Sequence, residues 1–242
     1  MNIYRTMYHA PKPEGIENRK AYVVGGGIAG LSTAAFLVDD AGMPGDNITI
    51  LEKLCDVGGS MDGTKNEFGY LCRGERELEP YMECLWYLCS KVPSLENPSR
   101  TVLDDIVDFN KDEPIHSECR ALVKQGHIFS SIHDSELPEK VQIDIQRLLA
   151  TPEEDLEDMT IEDFFGKGSA LFESNFWLCF HTMLAFKHYH SIIEAKRYLQ
   201  RFGLAIRIEY LEGIVHTKLN EYDAIIKPLK VWLATKGVKI GT

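Results

Sequence analysis

KAYVVGGGIAG, residues 20–30, decides how this chain is read. KAYVV has the apolar run of a buried strand, the glycines that follow predict a turn, and LSTAAFLVDDAG (31–42) predicts a helix of small and apolar residues stopped at Gly42. After the PGDN turn, ITILEK (48–53) predicts a second strand, so residues 20–53 form one βαβ unit. Gly25, Gly27 and Gly30 stand at GxGxxG spacing between strand and helix. Dinucleotide chemistry needs such glycines: the first for the tight turn, the second for close approach to a pyrophosphate, the third for helix-on-strand packing. The helix N-terminus offers amide donors to phosphates, and Glu52, ending the second strand, can accept from ribose hydroxyls. A glycine-rich βα turn with no ligand is the rival reading; strand, helix and acid falling together favour the dinucleotide.

Six residues beyond Glu52 comes a second glycine pair, Gly58 and Gly59. An acid at the end of the second strand followed shortly by Gly-Gly is the usual pattern of FAD-binding two-dinucleotide-domain proteins, so FAD is favoured over NAD. The formal net charge of -11, with no compensating Lys/Arg block, argues against nucleic acid. The first residues lack a basic and apolar signal segment, and the apolar run FWLCF (176–180) is too short for a bilayer, so a cytoplasmic protein is expected. Six cysteines, Cys55, Cys72, Cys84, Cys89, Cys119 and Cys179, form no CxxC or zinc spacing and read as free thiols. His188 and His190 would diverge on a helix, so no metal site is expected.

Further along, helical spacing predicts a helix from Leu78 to Val92, ended by Pro93. Thr160 and Asp163 form a capping-box pattern, and residues 174–202 read as helical and aromatic. The set Phe176, Trp177, Phe180, Phe186 and Tyr189 suits core packing or an acyl tunnel. A last helix at about 218–235 leads through Gly237 into VKI, the start of another strand. The fold class is therefore α/β: a Rossmann-like FAD-binding βαβ start, a largely helical insertion or substrate lobe, and an incomplete sheet. The expected divisions are an arm at 1–18, the FAD segment at 19–75, the helical lobe at 76–215 and a returning helix and strand at 216–242. An incomplete sheet also implies exposed apolar strand edges and a tendency to self-associate.

One more stretch, RGERELEP at 73–80, reads by itself as a solvated, Glu-rich helix N-terminus. Set beside the rest it reads differently. The string GxGxxG, Glu52, Gly58-Gly59, RGERELE and ECLWYLCSKVPSLE resembles the oleate hydratases, the fatty-acid hydratases once called myosin-cross-reactive antigens. ESNFW (173–177), AFKHYHSIIEAKRYLQRF (185–202) and LNEYDAIIKPL (219–229) match as well. The resemblance implies water addition across the cis double bond of oleate or a related unsaturated fatty acid, with FAD shaping the site and no net redox change. By the same resemblance Glu77 holds and activates water, Tyr198 protonates the alkene, and Arg76 lies beside the glutamate and flavin. It also allows a homodimer and peripheral contact with a membrane. Family members are far longer, which makes this chain correspond to their N-terminal portion, with hydration incomplete or lost. Where the family has the second glycine of RGG, this chain has Glu75, which brings steric and charge cost near the flavin. The alternatives are a flavin-dependent oxidoreductase and a non-catalytic remnant that binds FAD or fatty acid.

Overall fold

A computed structural model describes residues 11–63, 65–70, 78–80, 82–115, 120–122, 128–131, 137–202 and 214–241. In chain order its main elements begin with β1 (Ala21–Val24), α1 (Ile28–Asp39), β2 (Ile48–Leu51), β3 (Lys65–Asn66) and β4 (Gly69–Tyr70). Next come α2 (Glu83–Cys89), α3 (Val102–Asp112), β5 (Arg120–Leu122), β6 (Ile128–Ser131), α4 (Glu139–Ala150) and α5 (Ile161–Phe165). The last are α6 (Asn175–Met183), α7 (Ile192–Phe202), a π-helical turn (Tyr222–Ile226), α8 (Lys227–Thr235) and β7 (Lys239–Gly241). The chain divides into two compact units, one of Met1–Pro114 with Val215–Thr242 and one of Ile115–Ile214.

The first unit is a parallel sheet in the order β1-β2-β7, covered by α1 and α8 on the side of Ile48 and Ile50. Its register sets Val23 opposite Ile50, and Ile50 opposite Ile240. Leu31, Ala34 and Ala35 of α1 are fully buried; two alanines on that face let the helix lie close to the strands. Leu229 and Leu233 of α8 are buried in the same core, each such leucine contributing about 1.5–3 kcal/mol. Helix α8 stops at Gly237, whose φ of 86° supplies the left-handed cap, and the Val238 N–H donates back to the Leu233 carbonyl. On the opposite face Tyr22 and Val24 stay 66% and 86% exposed, which is unusual for a parallel sheet.

Helices α2 and α3, expected in the helical lobe, pack instead into this first core through Trp86, Leu88, Leu103 and Ile106. The helix expected from Leu78 begins only at Glu83, because Leu78 gives both its backbone groups to Val215 in an isolated antiparallel bridge. Trp86 then covers the chain reversal, its indole N–H donating to the carbonyls of Glu79 and Pro80. Asn110 of α3 pins the returning chain, donating to the His216 carbonyl and accepting from the His216 N–H.

The second unit contains the antiparallel β5–β6 pair and a set of helices around an aromatic core. Thr160 and Asp163 make the expected capping box, each side chain accepting the other's backbone N–H at 3.0 Å. The region 174–202 is two helices rather than one. Ala185, at φ 58°, turns the chain out of α6, and the carbonyls of His188 and His190 then accept the N–H groups of Glu162 and Ile161. His188 and His190 thus lie in a turn, where the helical argument about their directions does not apply; among the described residues no group of three His, Cys, Asp or Glu could hold a metal. Trp177, Phe180 and Phe186 are buried, with Phe180 and Phe186 stacked at 4.6 Å, while Tyr189 is 73% exposed. The cavity beside Trp177 and Phe180 holds only about 10 Å³, room for no more than a water, so these rings pack a core there.

Candidate dinucleotide-binding site

At the C-terminal end of β1 the backbone of Gly25 turns at φ 95°, and its N–H donates to the Leu51 carbonyl at 2.8 Å. A side chain there would be strained by that φ, although the space beside it is open. Gly27 is the N-cap of α1 and offers no side chain to cap it. The first-turn N–H groups of α1, which have no partner within the helix, therefore open toward the space before the glycines, where an anion is favoured. Gly30 is where helix meets turn: a Cβ would overlap the Gly25 carbonyl oxygen.

Gly26 completes the set, and the GxGxxG spacing passes over it. A Cβ on Gly26 would come within 2.7 Å of Val57 and 3.0 Å of Glu52. Its N–H donates to Glu52 Oε2 at 2.7 Å, and its carbonyl accepts the Gly58 N–H at 2.9 Å. The signal was the uninterrupted triple glycine itself, which the motif's spacing does not require. Glu52 Oε1 accepts the Leu54 N–H at 2.8 Å. Leu54, followed by Gly26, holds the Glu52 carboxyl below its ordinary range, so it is an anion that fastens β2 to the glycine turn. Each of its oxygens retains a further lone pair for a hydroxyl donor.

Gly58 and Gly59 serve the same junction. Gly58 forms a parallel bridge with Gly27, and a Cβ on Gly59 would approach the Gly27 Cα to 3.2 Å. With φ of 126° and 59° neither position suits another residue. Two glycine segments 31 residues apart thus lie backbone to backbone, bringing amides and one carboxylate together. Gly25, Gly27, Gly30, Glu52, Gly58 and Gly59 all come together here. Arg76 and Glu77 lie outside the described residues, as do Arg73 and Glu75. Tyr198 is on α7 of the second unit, 36% exposed and edge-on to Phe186 at 5.2 Å.

A groove of about 390 Å³ lies elsewhere in the first unit, walled by Trp86, Leu103, Ile106 and Val107, with Lys111 at its rim. Among the described residues no helix is long and apolar enough to cross a membrane.

The family described as "MCRA family" matches the chain over residues 18–242. An "Oleate hydratase" of Streptococcus pyogenes serotype M49 (strain NZ131) is 38% identical over 236 residues, covering 95% of this chain and 39% of the relative. A "Linoleate hydratase" of Lactiplantibacillus plantarum is 26% identical, covering 90% of this chain and 42% of that protein. The chain thus spans well under half the length of both relatives. Among solved structures, an oxidoreductase from Methanosarcina mazei superposes with a TM-score of 0.53 at 17% identity, over 92% of this chain and 51% of that one. A CLA-producing fatty acid isomerase from P. acnes gives 0.52 at 15% identity, over 90% and 50%. These last two likenesses bear on the fold, a mixed α/β arrangement with a small parallel sheet.

Proposed function

The chain belongs to the MCRA family, and on that premise we propose that it carries the FAD-binding and water-activating part of a fatty-acid double-bond hydratase. The observation that carries the reading is the 38% identity to an oleate hydratase along 95% of this chain. The glycine junction supports it, because its uncapped helix, open Gly25 turn and ionised Glu52 suit a dinucleotide. Gly25, Gly27 and Gly30 with the α1 amides would hold the pyrophosphate, Glu52 the ribose hydroxyls, and Gly58 and Gly59 the approach of the second loop. Bound there, FAD supplies a shaped, polar wall and no electrons, since adding water to an alkene leaves the oxidation balance unchanged.

The protein's own part in the chemistry is acid–base. Glu77 holds a water and takes one of its protons as the water oxygen bonds to one alkene carbon. Tyr198 gives its phenolic proton to the other carbon, where the π electron pair forms the new C–H bond. Each group then regains its starting protonation state by exchange with solvent, and water is the only co-reactant. Arg76 orients Glu77 as a charge-assisted donor. The groove at Trp86, Leu103, Ile106 and Val107, of ligand-site size, suits an alkyl chain. An unsaturated fatty acid is the substrate, and the homodimer, peripheral membrane contact and cytoplasmic location belong to the same proposal.

The test is a titration of the 242-residue chain with FAD, followed by an oleate hydration assay of wild type and Glu77→Gln. Saturable FAD binding in both, with 10-hydroxy acid formed only by wild type, is the expected outcome. Hydration surviving in Glu77→Gln would remove Glu77 from its role. Substrate-dependent flavin reduction with oxygen uptake would point to an oxidoreductase, and FAD binding without turnover to a non-catalytic remnant.

A further inference from the structure

The loop that carries Gly58 and Gly59 is anchored in the first core by Val57, but its glycines leave the backbone beyond that anchor loosely specified. Gly58, Gly59 and Gly63 all adopt positive φ, at 126°, 59° and 59°, and each glycine adds conformational freedom that the folded loop gives up. The Gly58–Gly26 bond and buried Val57 hold it against the glycine turn from one side, and a second set of contacts holds it from the other. Asp56, two residues before Gly58, is the acceptor for three donors. Its Oδ2 accepts the Tyr222 hydroxyl at 2.7 Å; its Oδ1 accepts Lys230 Nζ at 2.5 Å and the Val57 N–H at 2.8 Å. Tyr222 also covers the far end of the loop, since a Cβ on Gly63 would lie 2.6 Å from the Tyr222 Cβ. The contact spans 166 residues of sequence, so nothing local to the loop produces it.

The position of Tyr222 has its own cause. Pro228 has no N–H to donate to the Ala224 carbonyl, and its ring crowds that carbonyl. The backbone widens there, and Lys227 N–H reaches back five residues to the Tyr222 carbonyl, giving the π-turn Tyr222–Ile226. Ile225, Ile226 and Leu229 are buried in the core below, which fixes the turn's rotation and leaves Tyr222 over the loop. Burial, then the bond to Asp56, pushes the Tyr222 hydroxyl up to about 12, while Lys230, then Tyr222, lowers Asp56. Donor and acceptor are therefore in complementary states across the neutral range.

We propose that Tyr222 and Lys230 are positioning residues for the dinucleotide, acting through Asp56 to hold the 56–63 loop closed on the glycine turn. The proposal rests on the FAD reading above and adds residues that touch no cofactor in it. Exposed ion pairs contribute little to global stability. Their effect here is on the fraction of molecules whose loop is closed, and apparent affinity scales with that fraction.

The experiment compares wild type with Tyr222→Phe, Asp56→Asn, Lys230→Met and Lys230→Arg, measuring FAD affinity by flavin fluorescence and amide exchange at Gly58 with no ligand added. Tyr222→Phe is expected to weaken FAD binding by up to about fivefold, the net worth of one hydrogen bond. Lys230→Met should weaken it and Lys230→Arg restore it, a rescue that a merely structural role of the stem would not need the charge to produce. Gly58 exchange should rise in Tyr222→Phe and Asp56→Asn, while amides of α4 stay as in wild type. Unchanged FAD affinity together with unchanged Gly58 exchange in Tyr222→Phe would overturn the clamp. Wild-type protein that binds no FAD would sink the dinucleotide reading, and the clamp would then be decided by Gly58 exchange alone.

Discussion

The two units lean on different contacts. In the first, segments far apart in sequence meet through bare backbone: β2 pairs with both β1 and β7, Gly27 with Gly58, and Leu78 with Val215. In the second, backbone meets backbone across a distance at the Thr160–Ser191 bridge, and most of the interior is a run of rings from Phe172 to Phe186. The contrast teaches where tolerance should lie. Backbone contact leaves no slack for an added atom, whereas a ring-filled core suffers most when atoms are removed.

The largest effect should come from removing a ring. Trp177→Ala is expected to cost about 3–5 kcal/mol, seen in urea unfolding and in faster amide exchange of α6, with the β1–β2 amides protected as before. Adding one methyl tests the other unit: Gly30→Ala should cost about 1–3 kcal/mol through its collision with Gly25 and should perturb β1 and α1 while sparing α6. Equal exchange changes in both units for either variant would break the comparison. Thr160→Ala should lose about 1 kcal/mol, confined to α5, because only the cap is removed.

A pH series sharpens the account of Glu52. Its folded-state pKa is lowered, so its contribution is fully present above the ordinary value of 4.5 and is lost as pH falls through the folded value. The urea midpoint of wild type should exceed that of Glu52→Gln at neutral pH, and the gap should close in acid; a gap independent of pH would remove the charge from the explanation. The smallest effect is chemical. Exposed Cys55 and Cys84 should react with a thiol reagent while Cys89, pushed up to about 12 by burial, stays unmodified until the first unit unfolds.

Much of the first unit was legible because its signals are steric and local: a strand, three spaced glycines, a helix and an acid can stand in few arrangements. Gly26 was less legible, since its need arises from Val57 and Glu52 arriving beside it. Asp56, Tyr222 and Lys230 carried no signal at all, being joined only by folding over 166 residues and more. The assignment of α2 and α3 to the helical lobe failed for a related reason: periodicity finds an apolar face and says nothing of which core it meets. Helix α6 was seen to begin, but the turn at Ala185 was hidden because alanine itself favours helix.

The third strand of the sheet has a consequence for biogenesis. The Glu52 N–H donates to the Gly241 carbonyl, and Lys239 Nζ reaches the Asp46 carbonyl across a separation of 193 residues. During translation the second unit emerges from the ribosome before β7 does, so it can fold while β1 and β2 still wait for a neighbour. The nascent first unit must therefore remain open longest at the very strands that carry its glycine turn, and it is there that a chaperone would have most to protect.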